Sequence, residues 1–73
     1  MNVYRFKIDR KKVAYGTGEA IAAANTPQDA WDVTKKNIGW EAEFFDSVHP
    51  EQLHELTCSL SEPALICYNC YVD

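Results

Sequence analysis

Glycine, proline and cysteine are scarce in this 73-residue chain, with three of each, and there is a single methionine. So little Gly and Pro beside 47% hydrophobic residues excludes low complexity and disorder. No apolar run approaches the ~18 to 20 residues of a membrane span. Asn2-Val3-Tyr4-Arg5-Phe6-Lys7 alternates where a secretory leader would carry an apolar block. The expectation is a soluble, cytoplasmic protein, and its odd cysteine count fits a reducing compartment. At this length it is one domain over 1–73, because roughly 60 residues bury only ~60% of their unfolded surface. Two lobes around a cleft are excluded, and no motif names a reaction.

The most telling absence is positive charge after Lys36. Residues 1–36 hold all seven Lys and Arg against four acids, a net +3, whereas 37–73 hold seven acids and no Lys or Arg, a net −7. Charge runs of this kind usually just face water; separated on a surface, they would steer the chain toward a charged partner.

Val3 to Ile8 alternates with the period of a half-buried strand, placing Tyr4, Phe6 and Ile8 inward and Val3, Arg5 and Lys7 outward. Asp9-Arg10-Lys11-Lys12 reads as a polar turn and Val13-Ala14-Tyr15 as the restart of an apolar segment, which makes a hairpin with a basic tip. Gly16-Thr17-Gly18 is read as a bulge in one long second strand reaching Ala24. It lacks the third glycine and the directly following helix of a phosphate-binding loop.

Thr26 suits an N-cap, Pro27 the first helical position and Asp29 the positive end of the dipole. The spacing predicts a helix to about Ile38, with Ala30, Trp31, Thr34 and Ile38 on one face, Lys35 and Lys36 at the negative end, and Gly39 as terminator. Trp40, Ala42 and Phe44 then alternate with Glu41, Glu43 and Phe45, predicting a third strand with an acidic outer face. Trp31 and Trp40 are both expected in the core. A last hairpin is expected from Leu53–Leu60 and Ala64–Val72, with Leu60 opposite Ala64, Cys58 opposite Ile66 and Leu56 opposite Tyr68.

The predicted fold is α+β, in the order β-β-α-β-β-β, a single antiparallel or mixed sheet with one helix packed on one face. One helix cannot cover both sides of such a sheet. The second face would carry Arg5, Lys7, Glu41, Glu43, Phe45, Leu65, Cys67 and Tyr71, with Phe45, Leu65 and Tyr71 as its exposed apolar groups.

Candidate chemistry is thin. His54, Cys58, Cys67 and Cys70 are ligand types that Zn²⁺ prefers. On a strand, however, Cys67 and Cys70 point to opposite faces, and Tyr68-Asn69 offers neither Gly nor Pro for a knuckle. Free thiols and no cofactor are expected, with a small Zn-binding domain as the lesser alternative. His49 precedes Pro50 in a loop and His54 lies near a strand start, and neither has a paired nucleophile in the pattern. No catalytic residue is assigned. Tyr4 and Phe6 point away from Arg5 and Lys7, so they form no stacking platform with them, and direct nucleic-acid binding is disfavoured.

What remains is a non-enzymatic binding protein. Its acidic half, especially Glu41, Glu43, Asp46, Glu51 and Glu55, suits a basic groove built for nucleic acid. The basic hairpin Arg5, Lys7, Arg10, Lys11 and Lys12 would touch an acidic site or a bound nucleic acid. A chain that opens on a strand at Val3–Ile8, passes through a charged hairpin and enters one helix at Thr26-Pro27-Gln28-Asp29-Ala30-Trp31 resembles small phage and mobile-element proteins of the anti-CRISPR type. The resemblance implies an inhibitor that occupies the nucleic-acid-binding surface of a host nuclease or surveillance complex. A bacterial regulatory or accessory binding protein is the alternative. A homodimer is compatible with either, since pairing of an edge or open face would cover surface that one helix leaves bare.

Overall fold

In the computed structural model, which describes residues 1–55 and 62–72, the alternating segment forms β1 (Asn2–Lys7), followed by β2 (Gly16–Ala24) and α1 (Pro27–Ile38). A 3-10 helix (Gly39–Phe44), β3 (Glu51–Glu55) and β4 (Ala64–Val72) complete the order. The four strands make one antiparallel sheet, β3-β1-β2-β4, so the fold is α+β, with one α-helix among the described residues.

The core forms between α1 and one face of the sheet. Tyr4, Phe6 and Ile8 are buried as the alternation requires, and the Phe6 ring lies 5.2 Å from that of Trp31 on α1. On β2 the same face carries Ala20, Ala22 and Ala24, all fully buried, opposite the equally buried Ala30 of α1. Side chains that end at Cβ on both elements let the helix lie close to the sheet, and Phe6, Phe45 and Trp31 fill the space beside that contact.

The helix begins and ends where its sequence signals stand. Thr26 is extended, its Oγ1 accepts a hydrogen bond from the Asp29 N–H at 3.1 Å, and Pro27 opens the first turn. Gly39 ends it at φ +65°, a conformation that glycine adopts without a Cβ penalty, and its N–H bonds the Lys35 carbonyl. Thr26→Ala removes the cap acceptor, and urea unfolding is expected to show a loss of ~1 kcal/mol.

Several sequence expectations are corrected. Trp40–Phe45 is not a strand. Ala42 and Phe45 are the buried positions, spaced three apart, which is the period of the 3-10 turn that forms. Only Phe45 joins the sheet, in an isolated bridge to Ile8 flanked by the Asp9 N–H to Phe44 carbonyl and Asp46 N–H to Lys7 carbonyl bonds, each 2.8 Å. Val13 is buried in the core without being part of a strand, and Tyr15 is exposed.

The long second strand is as expected, but Gly16-Thr17-Gly18 is not its bulge: these residues pair in order with Val72, Tyr71 and Cys70. The irregularity lies between Ile21 and Ala22, against β4. Gly18 is required by close approach, since a Cβ there would stand 3.0 Å from the Asn69 carbonyl oxygen and 3.1 Å from Ile8.

β3 and β4 form no hairpin with each other among the described residues. They are opposite edges of the sheet, β3 against β1 and β4 against β2. The expected pairings of Leu56, Cys58 and Leu60 lie outside the described residues.

Candidate protein-binding surface

The register fixes what the second face carries. Arg5 on β1 pairs with Ile21 on β2 and Glu51 on β3, while Ile21 pairs with Cys67, Glu19 with Asn69 and Thr17 with Tyr71 on β4. This face is not uniformly open. Val3, expected outward, is 2% exposed, and its partner Ala23 is fully buried. Phe45 and Leu65, expected as exposed apolar groups there, belong to the other side: Phe45 is 1% exposed in the core and Leu65 packs against it. Tyr71 is exposed as expected.

The two charge signs of the sequence do not stay apart. Arg5 Nη2 donates to Glu51 Oε2 at 2.6 Å and Nε donates to the same oxygen at 3.2 Å, with Glu19 3.8 Å away on the other flank. Lys7 Nζ also stands 3.8 Å from Glu51. Antiparallel pairing of β1 with β3 thus brings two cations of the basic half onto an acid of the acidic half. Arg10, Lys11 and Lys12 remain exposed at the hairpin tip, where Asp9 holds the turn by accepting from the Lys11 N–H at 2.9 Å. Lys7 and Arg10 also line an open groove of about 340 Å³ with Ile8, Thr17, Gly18, Glu19 and Asn69.

The five acids expected to act together are dispersed. Glu51 is engaged by Arg5, and Glu55 ends β3 on the far edge opposite Asn2. Asp46 organises its own loop, Oδ1 accepting from the N–H of Val48 and of His49 at 2.9 and 3.2 Å and Oδ2 lying 3.0 Å from His49 Nδ1. Glu41 turns toward Tyr68 and Cys70 of β4. Burial first, then the Glu41 carboxylate, raise the Tyr68 phenol well above its usual value, and its buried hydroxyl meets no hydrogen-bond geometry with any described residue. Burial also raises the Cys70 thiol, which keeps it protonated.

Glu43 is exposed and makes no ion pair among the described residues. It stands three residues after Trp40 in a helix with three residues per turn, so the two side chains share one face. Trp40, expected in the core, is 70% exposed. Its ring is steadied edge-on by Phe44, with centroids 5.6 Å apart and planes at 81°. Sequence reasoning missed this residue because Trp40-Glu41-Ala42-Glu43-Phe44 alternates like a strand. The signal available was the three-residue spacing of Ala42 and Phe45 after a helix-ending Gly39.

The zinc alternative loses its geometry. His54 is on one edge strand and Cys67 and Cys70 on the other, three strand spacings or about 14 Å apart. Cys67 pairs with Ile21 on the second face and Cys70 with Gly18 on the helix face, the former exposed and the latter half-buried. Cys58 lies outside the described residues, and among those described no three His, Cys, Asp or Glu side chains gather. No helix among the described residues is long and apolar enough to cross a membrane.

Acid titration provides a check on this electrostatic arrangement. The Arg5 hydrogen bond holds the Glu51 carboxyl below its ordinary value, and the His49 and Val48 hydrogen bonds do the same for Asp46. A carboxyl with a depressed folded pKa contributes stability above its unfolded pKa of ~4, and that contribution fades as pH falls through the folded value. Thermal melts should therefore be flat from about pH 7 to 5 and fall below ~4, less steeply for the Glu51→Gln, Asp46→Asn double variant. An equal acid slope in that variant would show the contacts to be incidental.

No family model, curated protein or solved structure matches this chain.

Proposed function

We propose that the protein is a non-enzymatic binding module whose contact surface is the 3-10 helix, with Trp40 as anchor and Glu43 beside it. The observation that carries this reading is a tryptophan left 70% exposed yet held edge-on by Phe44, with a carboxylate on the same face that makes no ion pair among the described residues. Exposed aromatic anchors flanked by charge are how energetic centres of interfaces are built. A planar indole next to a carboxylate also offers the two features of a nucleotide, a face to stack and a negative group. Surfaces that bind single strands supply the complement, aromatic platforms lined by Lys and Arg.

The partner is therefore a protein with a basic nucleic-acid-binding groove. Occupying that groove would make this chain an inhibitor of a nuclease or surveillance complex, in the manner of the anti-CRISPR type. The dispersal of Glu51, Glu55 and Asp46 narrows the contact from the whole acidic half to this one segment. The exposed tip Arg10, Lys11 and Lys12 is a secondary contact for an acidic rim or a bound strand.

The test is capture from a nuclease-treated bacterial lysate on immobilised wild-type chain, Trp40→Ala and Glu43→Lys. The expected result is a nucleic-acid-binding protein retained by wild type, lost from both variants and released by added single-stranded DNA. A protein retained equally by all three baits would overturn the reading.

A further inference from the structure

We propose that the cleft where β1 parts from β2 is a binding site for a phosphate monoester that also carries hydroxyl groups, the chemistry shared by sugar phosphates and nucleotides. The ladder between the two strands runs from Asn2 and Ala24 to Lys7 and Glu19 and stops there. Beyond it β1 leaves the sheet: Ile8 bridges Phe45, and the Asp9 N–H bonds the Phe44 carbonyl at 2.8 Å. β2 continues to Gly16 with β4 as its one strand partner among the described residues. The space between the parting chains is the groove of about 340 Å³, at the end of the sheet opposite Glu55 and Ala64.

Register partners share a face, so Lys7, Glu19 and Asn69 form one row across β1, β2 and β4, and Thr17 with Tyr71 forms the next. In that second row no β1 residue pairs with Thr17, and Arg10 reaches from the turn to line the groove instead. Alternate residues of a strand turn both backbone groups toward the same neighbour. One of Thr17 and Gly18 therefore directs its N–H and C=O toward the side that β1 has left.

Charge selects the ligand. Two cations against one carboxylate leave the groove positive in a chain of net charge −4. Arg10 is exposed and makes no ion pair among the described residues, and the Lys7 side chain, 3.8 Å from Glu51, is 64% exposed. Guanidinium and ammonium donors beside a strand N–H are groups that hold phosphate oxygens. Glu19 decides the rest of the ligand. Its carboxylate, 3.8 Å from Arg5, repels a bare phosphate but accepts hydrogen bonds from hydroxyls, as acids in nucleotide sites do from ribose. The Thr17 hydroxyl and the Asn69 amide add donors and acceptors for the same part. Tyr71, the partner of Thr17 and 69% exposed, stands on that face where a nucleobase would stack. The groove shares no residue with the Trp40 and Glu43 surface, so the two can fail separately.

Amide NMR titrations of the full chain at low salt test this, at a pH above the second phosphate pKa of ~6. Ribose 5-phosphate is expected to give saturable shifts at Thr17, Gly18, Glu19 and Asn69, and inorganic phosphate to bind at least ~10-fold more weakly. The Lys7→Gln, Arg10→Gln double variant, at two exposed positions, should weaken ribose 5-phosphate at least ~10-fold while the rest of the spectrum stays in place. Adenosine monophosphate in a parallel titration identifies the source: binding tighter than that of ribose 5-phosphate, with a shift at Tyr71, assigns the site to nucleotides, and equal binding assigns it to sugar phosphates. Shifts that do not saturate or that scatter beyond the groove, inorganic phosphate binding as well as the monoester, or binding unchanged in the double variant would each overturn the proposal.

Discussion

Phe6→Ala is expected to cost ~3–5 kcal/mol and to leave much of the chain unfolded at room temperature. The side chain is fully buried and touches Trp31, and five of the eleven residues of the core cluster to which it belongs are alanines. Alanines have no rotamers with which to refill a cavity, so on that side collapse requires α1 to move toward the sheet. Native stability scales as ~0.05–0.15 kcal/mol per residue, or roughly 4–11 kcal/mol here, and the loss is a large part of it. Urea titration followed by circular dichroism and by tryptophan fluorescence reads the effect. A cost under about 1 kcal/mol would mean that Phe6 and Trp31 do not hold the helix to the sheet.

Trp40→Ala should behave in the opposite way. The ring is mostly in solvent and loses only its edge contact with Phe44, so the unfolding midpoint should move by less than about 1 kcal/mol in equivalent stability. Binding to the captured partner should fall at least ~30-fold, the factor for the ~2 kcal/mol that marks an interface hot spot. Glu43→Lys should act on the association rate and on its salt dependence, because a solvent-facing charge steers encounter more than it holds the complex. The pair of variants therefore separates anchor from steering, and both separate binding from folding, which Phe6→Ala cannot do.

The local elements were legible because each rests on a local rule. The period of two in Val3–Ile8 specified β1, and Thr26-Pro27 with Asp29 and Gly39 specified both ends of α1. What was not legible depends on tertiary competition. Trp40–Phe45 has the alternation of a strand, yet the bridge of Phe45 to Ile8 and the burial of Ala42 favour a 3-10 turn. Strand order is likewise non-local. The segments after Pro50 resemble a hairpin, but β1 and β2 each offered a free edge, and β3 and β4 took one each.

That order also governs the charge pattern. Whether the +3 and −7 halves would remain apart depended on which strand Glu51 joined, and pairing with β1 set it against Arg5. The candidate site shifted accordingly, from a broad acidic half to Trp40 and Glu43. Glu43 belonged to the sequence-derived set, whereas Trp40 was assigned to the core because large aromatics usually fill small domains.

The measurement that tests the central claim most directly is competition at equilibrium. The protein captured by the wild-type chain is loaded with a labelled single-stranded oligonucleotide and titrated with wild type, then with Trp40→Ala. Mutually exclusive binding is expected, with full displacement by wild type and a displacement midpoint at least ~30-fold higher for Trp40→Ala. A stable ternary complex, or equal displacement by the two proteins, would contradict the account.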